Sequence, residues 1–391
     1  MNVAYLVPSY GRVSETFVND LVRGLSDRVE SLSVVTNDVV GKSPGPTPVK
    51  EVPFLALRSI ADRLRYRVAE FFGRNRRQHQ LLMRHANRQL RPVLRRIDPD
   101  VAYIDFGRAA VAARAPLQAL EIPFAVHFHG ADVTSHLSDP AYRTALHKVF
   151  RDADALVVAS HHIRRLLVLE GAPPEKIRVV RLGVNLEGVE PLSWEKRKET
   201  GPSIVFLGRM VPKKHPIALV EAFRLVKEEV PQATLTLIGD GPERNRVSRR
   251  ISRHELQDHV TMTGALPRQE ALSIVRKHWV YAQHSVTTRS GDQEGFGISL
   301  SEAAMLELPV VSTLHDGIPE QVEDGETGYL VREHDFEAMG KRLVSLLQAP
   351  GTVRHKGKNS RRKIESKVRL KERSIEIKST LDVIKEKKRR S

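Results

Sequence analysis

Short apolar runs alternate with helix-spaced segments along this chain, and the alternation begins twice. The first series of runs is Asn2–Val7, Ser31–Thr36, Val101–Ile104, Phe124–Phe128 and Ala155–Ala159. The second is Ser203–Leu207, Thr234–Ile238, Val260–Met262, Val280–Gln283, Val310–Ser312 and Gly328–Val331. Runs this short, apolar on successive residues and separated by helices, mark strands buried on both faces of a parallel sheet. The fold class expected is therefore α/β, with two Rossmann-like, doubly wound parallel-sheet domains. An N-terminal domain is read at 1–187, a polar linker at 188–202, and a second domain at 203–352. Basic helices at 353–391 are expected to pack back across the domains. In such folds ligands lie at the carboxyl ends of the strands, and two facing sheets would place theirs in the cleft between them.

Local signals sharpen this outline. The first strand is expected to turn at Pro8-Ser-Tyr-Gly11, with Ser14 as N-cap of a helix whose apolar stripe is Phe17, Val18, Leu21, Val22 and Leu25. Pro216 sits where the first turn of another helix would tolerate it.

Composition removes several function classes. The chain has 391 residues, 40% hydrophobic and 28% charged, which suits a globular protein. It contains no apolar run long enough to span a bilayer, and Met1-Asn-Val-Ala-Tyr-Leu-Val-Pro8 has neither basic leader nor cleavage site. With no cysteine there is no disulfide or thiolate chemistry, and the expected location is the cytosol, with a peripheral place on the inner face of the membrane left open. The basic charge is concentrated. Residues 58–96 carry twelve arginines against Asp62 and Glu70, and residues 353–391 carry sixteen Lys and Arg against five acids. Ile60, Leu64, Val68, Phe71 and Phe72 have helical spacing, so Arg63, Arg65 and Arg67 are candidates for docking an anionic membrane surface. The plainer alternative is the solvated face of a domain helix. Nucleic acid is not an expected partner: aromatics are only 5% and no recognised nucleic-acid motif is present, although the charge keeps a basic nucleic-acid-binding protein as a remote alternative.

The densest chemistry lies in Glu294-Gly-Phe-Gly-Ile-Ser-Leu-Ser-Glu302. Glycines let a backbone approach a ligand, and a helix starting near Ile298 aims unpaired N–H groups at its front, where phosphate is favoured. Glu294 would stand at the loop rim and Glu302 about two turns deeper, roughly 12 Å along a helix. That suits a long, hydroxyl-rich, phosphate-bearing ligand. Gly208-Arg209-Met-Val-Pro-Lys213-Lys214 places an arginine fork and a lysine point charge in one loop, a pairing suited to a diphosphate. In the first domain His127-Phe-His129-Gly130-Ala-Asp132 ends a strand, with both histidines on one face. A metal held by His127, His129 and Asp132 has no further ligand pattern behind it, and a polar sugar contact or a structural histidine is the expectation. Asp98-Pro-Asp100 and Asp152-Ala-Asp154 precede their strands and are rejected as metal sites.

Taken together these segments resemble a retaining glycosyltransferase of family 4, with the two-domain GT-B fold. The resemblance covers nearly the whole chain, and the pair Glu294 and Glu302 is its most specific element. Ser14-Glu-Thr-Phe17, Phe128-His-Gly-Ala-Asp-Val133, Arg181-Leu-Gly-Val184 and Gly291-Asp-Gln-Glu-Gly295 are similar to bacterial transferases building capsular, colanic-acid-type or other exopolysaccharides. The resemblance implies that Arg209 and Lys214 hold a donor diphosphate and that Glu302 binds the nucleotide ribose. It places Glu294 near the donor sugar, with Gly295, Phe296 and Gly297 offering backbone N–H groups. His129 would contact the sugar near the reacting carbon, and Gly11 would lie in a loop approaching phosphate and acceptor. It implies no metal and no cofactor, the nucleotide-diphosphate sugar being a substrate, and a saccharide or lipid-linked acceptor. Asn185 stands where many relatives have Asp, and the first loop has one glycine rather than two. A sugar-nucleotide epimerase or a disaccharide(-phosphate) synthase on the same fold is the alternative.

Overall fold

The computed structural model describes residues 1–12, 15–40, 47–55, 75–186 and 188–390. Ser14, Arg63, Arg65 and Arg67 lie outside the described residues. The chain divides into two compact units, one of residues 1–183 with 370–391 and one of residues 184–369.

The first unit is built on β1 (Asn2–Tyr10), α1 (Thr16–Ser26), β2 (Ser31–Val39), β3 (Val49–Glu51), α2 (Asn75–Ile97), β4 (Val101–Asp105), α3 (Gly107–Ala119), β5 (Phe124–Phe128), α4 (Pro140–Asp152), β6 (Ala155–Val158), α5 (His161–Leu169) and β7 (Ile177–Val179). The strands form one sheet in the order β3-β2-β1-β4-β5-β6-β7, every pair parallel. The central strands β4, β5 and β6 are buried throughout, as strands covered on both faces must be. The expected turn at Pro8–Gly11 is corrected: β1 runs through Tyr10, because β2 continues beside it to Val39 and Ser9 Oγ donates to Asp38 Oδ2 at 2.8 Å. Pro8 is tolerated because β1 pairs with β4 only as far as Leu6, so on that side no partner needs its missing N–H. The strand stops at Gly11, whose φ of 90° is one that only glycine adopts cheaply.

The second unit contains α6 (Trp194–Lys198), β8 (Ser203–Leu207), α7 (Pro216–Glu229), β9 (Thr234–Ile238), α8 (Arg244–Arg253), β10 (Val260–Gly264), α9 (Arg268–Val275), β11 (Val280–Ala282), α10 (Ile298–Met305), β12 (Val310–Thr313), β13 (Gly328–Val331), α11 (Phe336–Leu347) and α12 (Pro350–Glu365). Its sheet order is β10-β9-β8-β11-β12-β13, again all parallel. The polar stretch read as a linker is fastened here. Arg197 is buried, and its guanidinium donates to the carbonyls of Leu306 (2.8 Å) and Glu307 (2.7 Å).

The basic C-terminal stretch is split between the units. α12 packs against α10 in the second unit. The last helix, α13 (Leu370–Arg390), belongs to the first unit and packs against α1, with Lys385 paired to Asp100 at 2.8 Å. Buried Arg373 donates to the carbonyl of Phe17 at 2.6 Å. Asp100 thus serves packing, and its other partner is the N–H of Asn2 at 2.7 Å. Asp154 likewise accepts from the Phe124 N–H at 2.9 Å, and Asp152 pairs with Arg114 at 2.7 Å.

Close approach sets one position in α12. A Cβ on Gly357 would lie 2.1 Å from the carbonyl oxygen of Glu307, whereas one on Gly351 in the same helix meets nothing within 4 Å. Gly357→Ala is therefore expected to lower the urea stability by about 1–3 kcal/mol, the cost of overpacking against backbone. Gly351→Ala should be neutral or stabilising by up to about 1 kcal/mol. Equal effects in denaturant titrations of the two variants would contradict this packing.

Candidate active site

Each sheet has a switch point where its strand order reverses, beside β1 and β4 in the first unit and beside β8 and β11 in the second. The candidate residues collect at the carboxyl ends around those points.

In the second unit the loop after β8 is shaped by stacked glycines. Gly208 (φ 158°), Gly239 (φ 131°) and Gly264 (φ 76°) end β8 and β9 and close β10. The N–H of Gly208 donates to Ile238 O at 2.9 Å, and that of Gly239 to Gly264 O at 2.8 Å. A Cβ on Gly239 would lie 2.0 Å from the Gly208 carbonyl oxygen, so the strand ends can close together only without side chains. Arg209 leaves this loop exposed, while Lys214 folds back under it, its aliphatic stem against Gly208.

Lys214 Nζ lies 2.7 Å from Glu294 Oε2, with both side chains little exposed, and donates to Gln283 Oε1 at 3.1 Å. Gln283 Oε1 also accepts from the Tyr281 hydroxyl at 3.0 Å, and Tyr281 reaches Ser299 Oγ at 2.8 Å. One network thus runs from the lysine to the first turn of α10. Burial works to raise the Glu294 carboxyl, but Lys214 and Lys213 outweigh it and hold the group at about 2. Lys213 itself pairs with Asp292 at 3.2 Å and donates to Gln293 O at 3.0 Å. Gly295, Phe296 and Gly297 are buried behind this pair, Gly297 being the N-cap of α10. Glu302, also buried, lies on α10 with Oε1 2.8 Å from the Arg268 guanidinium.

Besides Tyr281 and Ser299, four participants were not singled out in the sequence. Arg268 and Gln283 are two of them. The others are His315 and Glu333, which hold the Glu294 backbone: its N–H donates to His315 Nε2 at 3.0 Å, and His315 Nδ1 donates to Glu333 Oε1 at 2.6 Å. Burial pulls the His315 imidazole down, but Asp316 and Glu333 prevail and raise it above its ordinary value. Nearby, His284 is fully buried, its ring 5.9 Å from that of His215. Burial first, then the neighbouring histidines, push it down to about 3, so it is neutral at pH 7.

In the first unit β4 delivers Asp105 and β5 delivers His127 and His129. Asp105 Oδ1 is 3.1 Å from His129 Nε2 and 3.4 Å from His127 Nδ1, and the Tyr5 hydroxyl donates to its other oxygen. The histidine rings are 4.4 Å apart, as strand alternation anticipated. His129 is further clamped between Phe106 (4.5 Å) and Phe17 (4.9 Å). Phe106 has φ 74°, a strained value for a bulky residue, with its N–H held by the His127 carbonyl at 2.9 Å. Burial raises the Asp105 carboxyl, yet its imidazole partners prevail and hold it far below the carboxylate range. Burial, then the His129 charge, lower His127 to about 4.

The carboxylate meeting both imidazoles is thus Asp105. Asp132 turns back instead, its Oδ2 accepting the His129 backbone N–H at 2.9 Å. Asp105, His127 and His129 present three donor atoms within 4.8 Å, close enough to surround a metal ion. They fit one poorly. His127 Nδ1 already pairs with the Tyr103 hydroxyl at 2.9 Å, and its Nε2 has no partner to orient a metal-bound ring.

The depressed Glu294 carboxyl carries a pH signature. A group lowered from 4.5 to about 2 contributes stability that is present above pH 4.5 and lost as pH falls toward 2. The stability difference between wild type and Glu294→Gln should hold steady above that window and shrink within it. Urea midpoints measured from pH 2 to 7 read this directly, and a difference that ignores pH would refute the ion pair.

Comparison with known proteins agrees with both units. The family model described as glycosyl transferase 4-like domain matches residues 14–183, and that described as glycosyl transferases group 1 matches residues 190–363. WcaL of Escherichia coli (strain K12), a glycosyltransferase assigned to colanic acid biosynthesis, is 35% identical over 252 residues, 64% of this chain and 62% of WcaL. The chain thus spans less than two thirds of that relative's length. A GDP-mannose-dependent alpha-(1-6)-phosphatidylinositol monomannoside mannosyltransferase of Mycolicibacterium smegmatis is 30% identical over 64% of this chain and 68% of its own. In fold, the crystal structure of HepE from Anabaena in complex with UDP and glucose superposes with a TM-score of 0.76 at 17% identity, covering 98% of this chain and 99% of that one. The chain has the GT-B fold and belongs to the group 1, family 4-like glycosyltransferases.

Proposed function

We propose that the protein transfers a hexose from a nucleotide-diphosphate sugar to a lipid-linked or growing saccharide acceptor, with retention of anomeric configuration, in cell-surface polysaccharide biosynthesis. The observation that carries this reading is the buried Lys214–Glu294 pair beside exposed Arg209 in the glycine-stacked loop of the second unit. Relatives named for colanic acid and amylovoran biosynthesis support the polysaccharide assignment. Among the described residues no helix is long and apolar enough to cross a membrane.

The roles follow from charge and reach. Departure of the nucleoside diphosphate breaks the bond between sugar C1 and a phosphate oxygen, and the electron pair leaves with the phosphate. Arg209 and Lys214 offset that charge, the fork by paired hydrogen bonds and the ammonium as a point charge, with no metal assigned. The acceptor hydroxyl bonds to C1 on the face the phosphate leaves, and its proton passes to the leaving oxygen. Glu294 stays ionised, held by Lys214, and faces sugar hydroxyls as an acceptor rather than attacking C1. Glu302 grips the ribose. His129 is the sugar contact of the first unit, and Gly11 closes the loop approaching phosphate or acceptor.

Incubation with UDP-, GDP- and dTDP-hexoses should reveal slow hydrolysis of one donor, read as nucleotide release. Glu294→Ala should slow it roughly 100-fold, the scale of losing one positioned polar group. If calorimetry found no nucleotide bound by the wild type, the donor site would be misassigned. Once an acceptor is found, the anomeric coupling in the product's NMR spectrum should match that of the donor. An inverted linkage would overturn front-face transfer.

A further inference from the structure

Glu302 is a carboxylate removed from water in a site meant for an anionic ligand. Its side chain is 8% exposed, and the Arg268 guanidinium that meets it is 10% exposed. An uncompensated carboxylate at that depth would be costly in itself and would repel a diphosphate. Glu294 has Lys214 as its cation at 2.7 Å, and Glu302 has Arg268 at 2.8 Å. The two acids of the motif thus each face a cation brought from elsewhere in the chain.

The second pair stands on rigid elements. Arg268 opens α9, directly after Pro267, and Glu302 lies on α10. Ala271, Leu272 and Val275 of α9 share one apolar core with Leu300, Ala303 and Leu306 of α10. The β10 end that feeds α9 is held where Gly264 accepts the Gly239 N–H. The backbones that carry the two partners are thus fixed by packing, and the fold sets the guanidinium beside the carboxylate at 2.8 Å. Gripping a vicinal diol demands such control, since each hydroxyl must find an oxygen lone pair at hydrogen-bond distance.

We infer that Arg268 is a positioning residue for donor recognition, fixing the charge and orientation of Glu302 so that it selects nucleotides bearing both ribose hydroxyls. This rests on the ribose role given to Glu302 above. A planar guanidinium on a carboxylate sets angle as well as charge, which a lysine does not, so Arg268→Lys is expected to be intermediate rather than neutral.

Calorimetry decides it, with wild type, Arg268→Lys and Arg268→Gln titrated with UDP and GDP and then with the 2′-deoxy and 3′-deoxy forms of whichever binds. Arg268→Gln should weaken the ribonucleotide roughly tenfold, the scale of a charge-assisted hydrogen bond. It should change the deoxy forms little, since they have already lost a hydroxyl for Glu302 to hold. Lysine should recover part of the loss. Equal weakening of ribo and deoxy forms would overturn the inference, because Arg268 would then act on base, phosphate or fold. Unchanged ribonucleotide binding would overturn it as well. Should Arg268→Gln fail to fold, the ribo-to-deoxy ratio of Arg268→Lys carries the same comparison. If the wild type bound UDP or GDP but did not distinguish them from their deoxy forms, the ribose role of Glu302 would itself be wrong. That result is separable from a failure confined to Arg268.

Discussion

Parallel pairing governs this molecule. When every strand in a sheet runs the same way, all the loops leaving the strand ends emerge on one edge, and the return helices must cover both faces. Five of the six strands of the second unit therefore deliver Gly208, Gly239, Gly264, Gln283 and His315 to one rim, although these residues are more than 100 positions apart at the extremes. Backbone atoms are crowded there, which is why the rim is built on glycines and why Lys214 can fold beneath Gly208. The first unit repeats the device with different chemistry, bringing Asp105 and His129 together from adjacent strands.

Burial then makes charge the second constraint. A carboxylate withdrawn from water must find a cation or give up its ionisation. Glu294 keeps its charge through Lys214, Glu302 is met by Arg268, and Asp105 is held ionised by two imidazoles rather than by lysine or arginine. The difference matters chemically. Ammonium and guanidinium remain charged at any physiological pH, so the second unit offers a fixed field for a phosphate-bearing ligand. The first unit instead surrounds its carboxylate with two imidazoles and a tyrosine hydroxyl, which hold it by hydrogen bonds rather than by a permanent charge.

How much of this was legible in the sequence follows from the range of the signal. Strands at Phe124–Phe128, Ser203–Leu207, Thr234–Ile238 and Gly328–Val331 were readable to the residue, because a buried parallel strand writes its apolar run locally. The edge strands Val49–Glu51 and Ile177–Val179 were not. Each is three residues long, and with one side unpaired it carries exposed positions such as Lys50 and Arg178 that break the run. The loop residues Arg209, Lys214, Glu294 and Glu302 were visible as motifs. Their partners were not: nothing near Glu302 in the sequence announces Arg268, 34 positions earlier, and nothing near Glu294 announces His315.

Asp105 shows the same limit from the other side. Reading along the chain, the acid beside His127 and His129 is Asp132, three residues from His129, and a local reading pairs them. Folding gives that proximity another use, as Asp132 accepts the backbone N–H of His129 and closes the turn after β5. The carboxylate that meets the imidazoles comes from β4, because parallel neighbours in register place Asp105 directly beside His127. A useful signal did exist, since Asp105 is an acid closing an otherwise apolar strand at the carboxyl end, where ligands of such sheets gather. A polar residue in that position is costly to bury and earns no packing, so its presence is itself a mark of chemistry. Gln283 sits by the same logic one position beyond the apolar run of β11, so in sheets of this kind the first polar residue after a buried strand is worth reading whether or not it belongs to a motif.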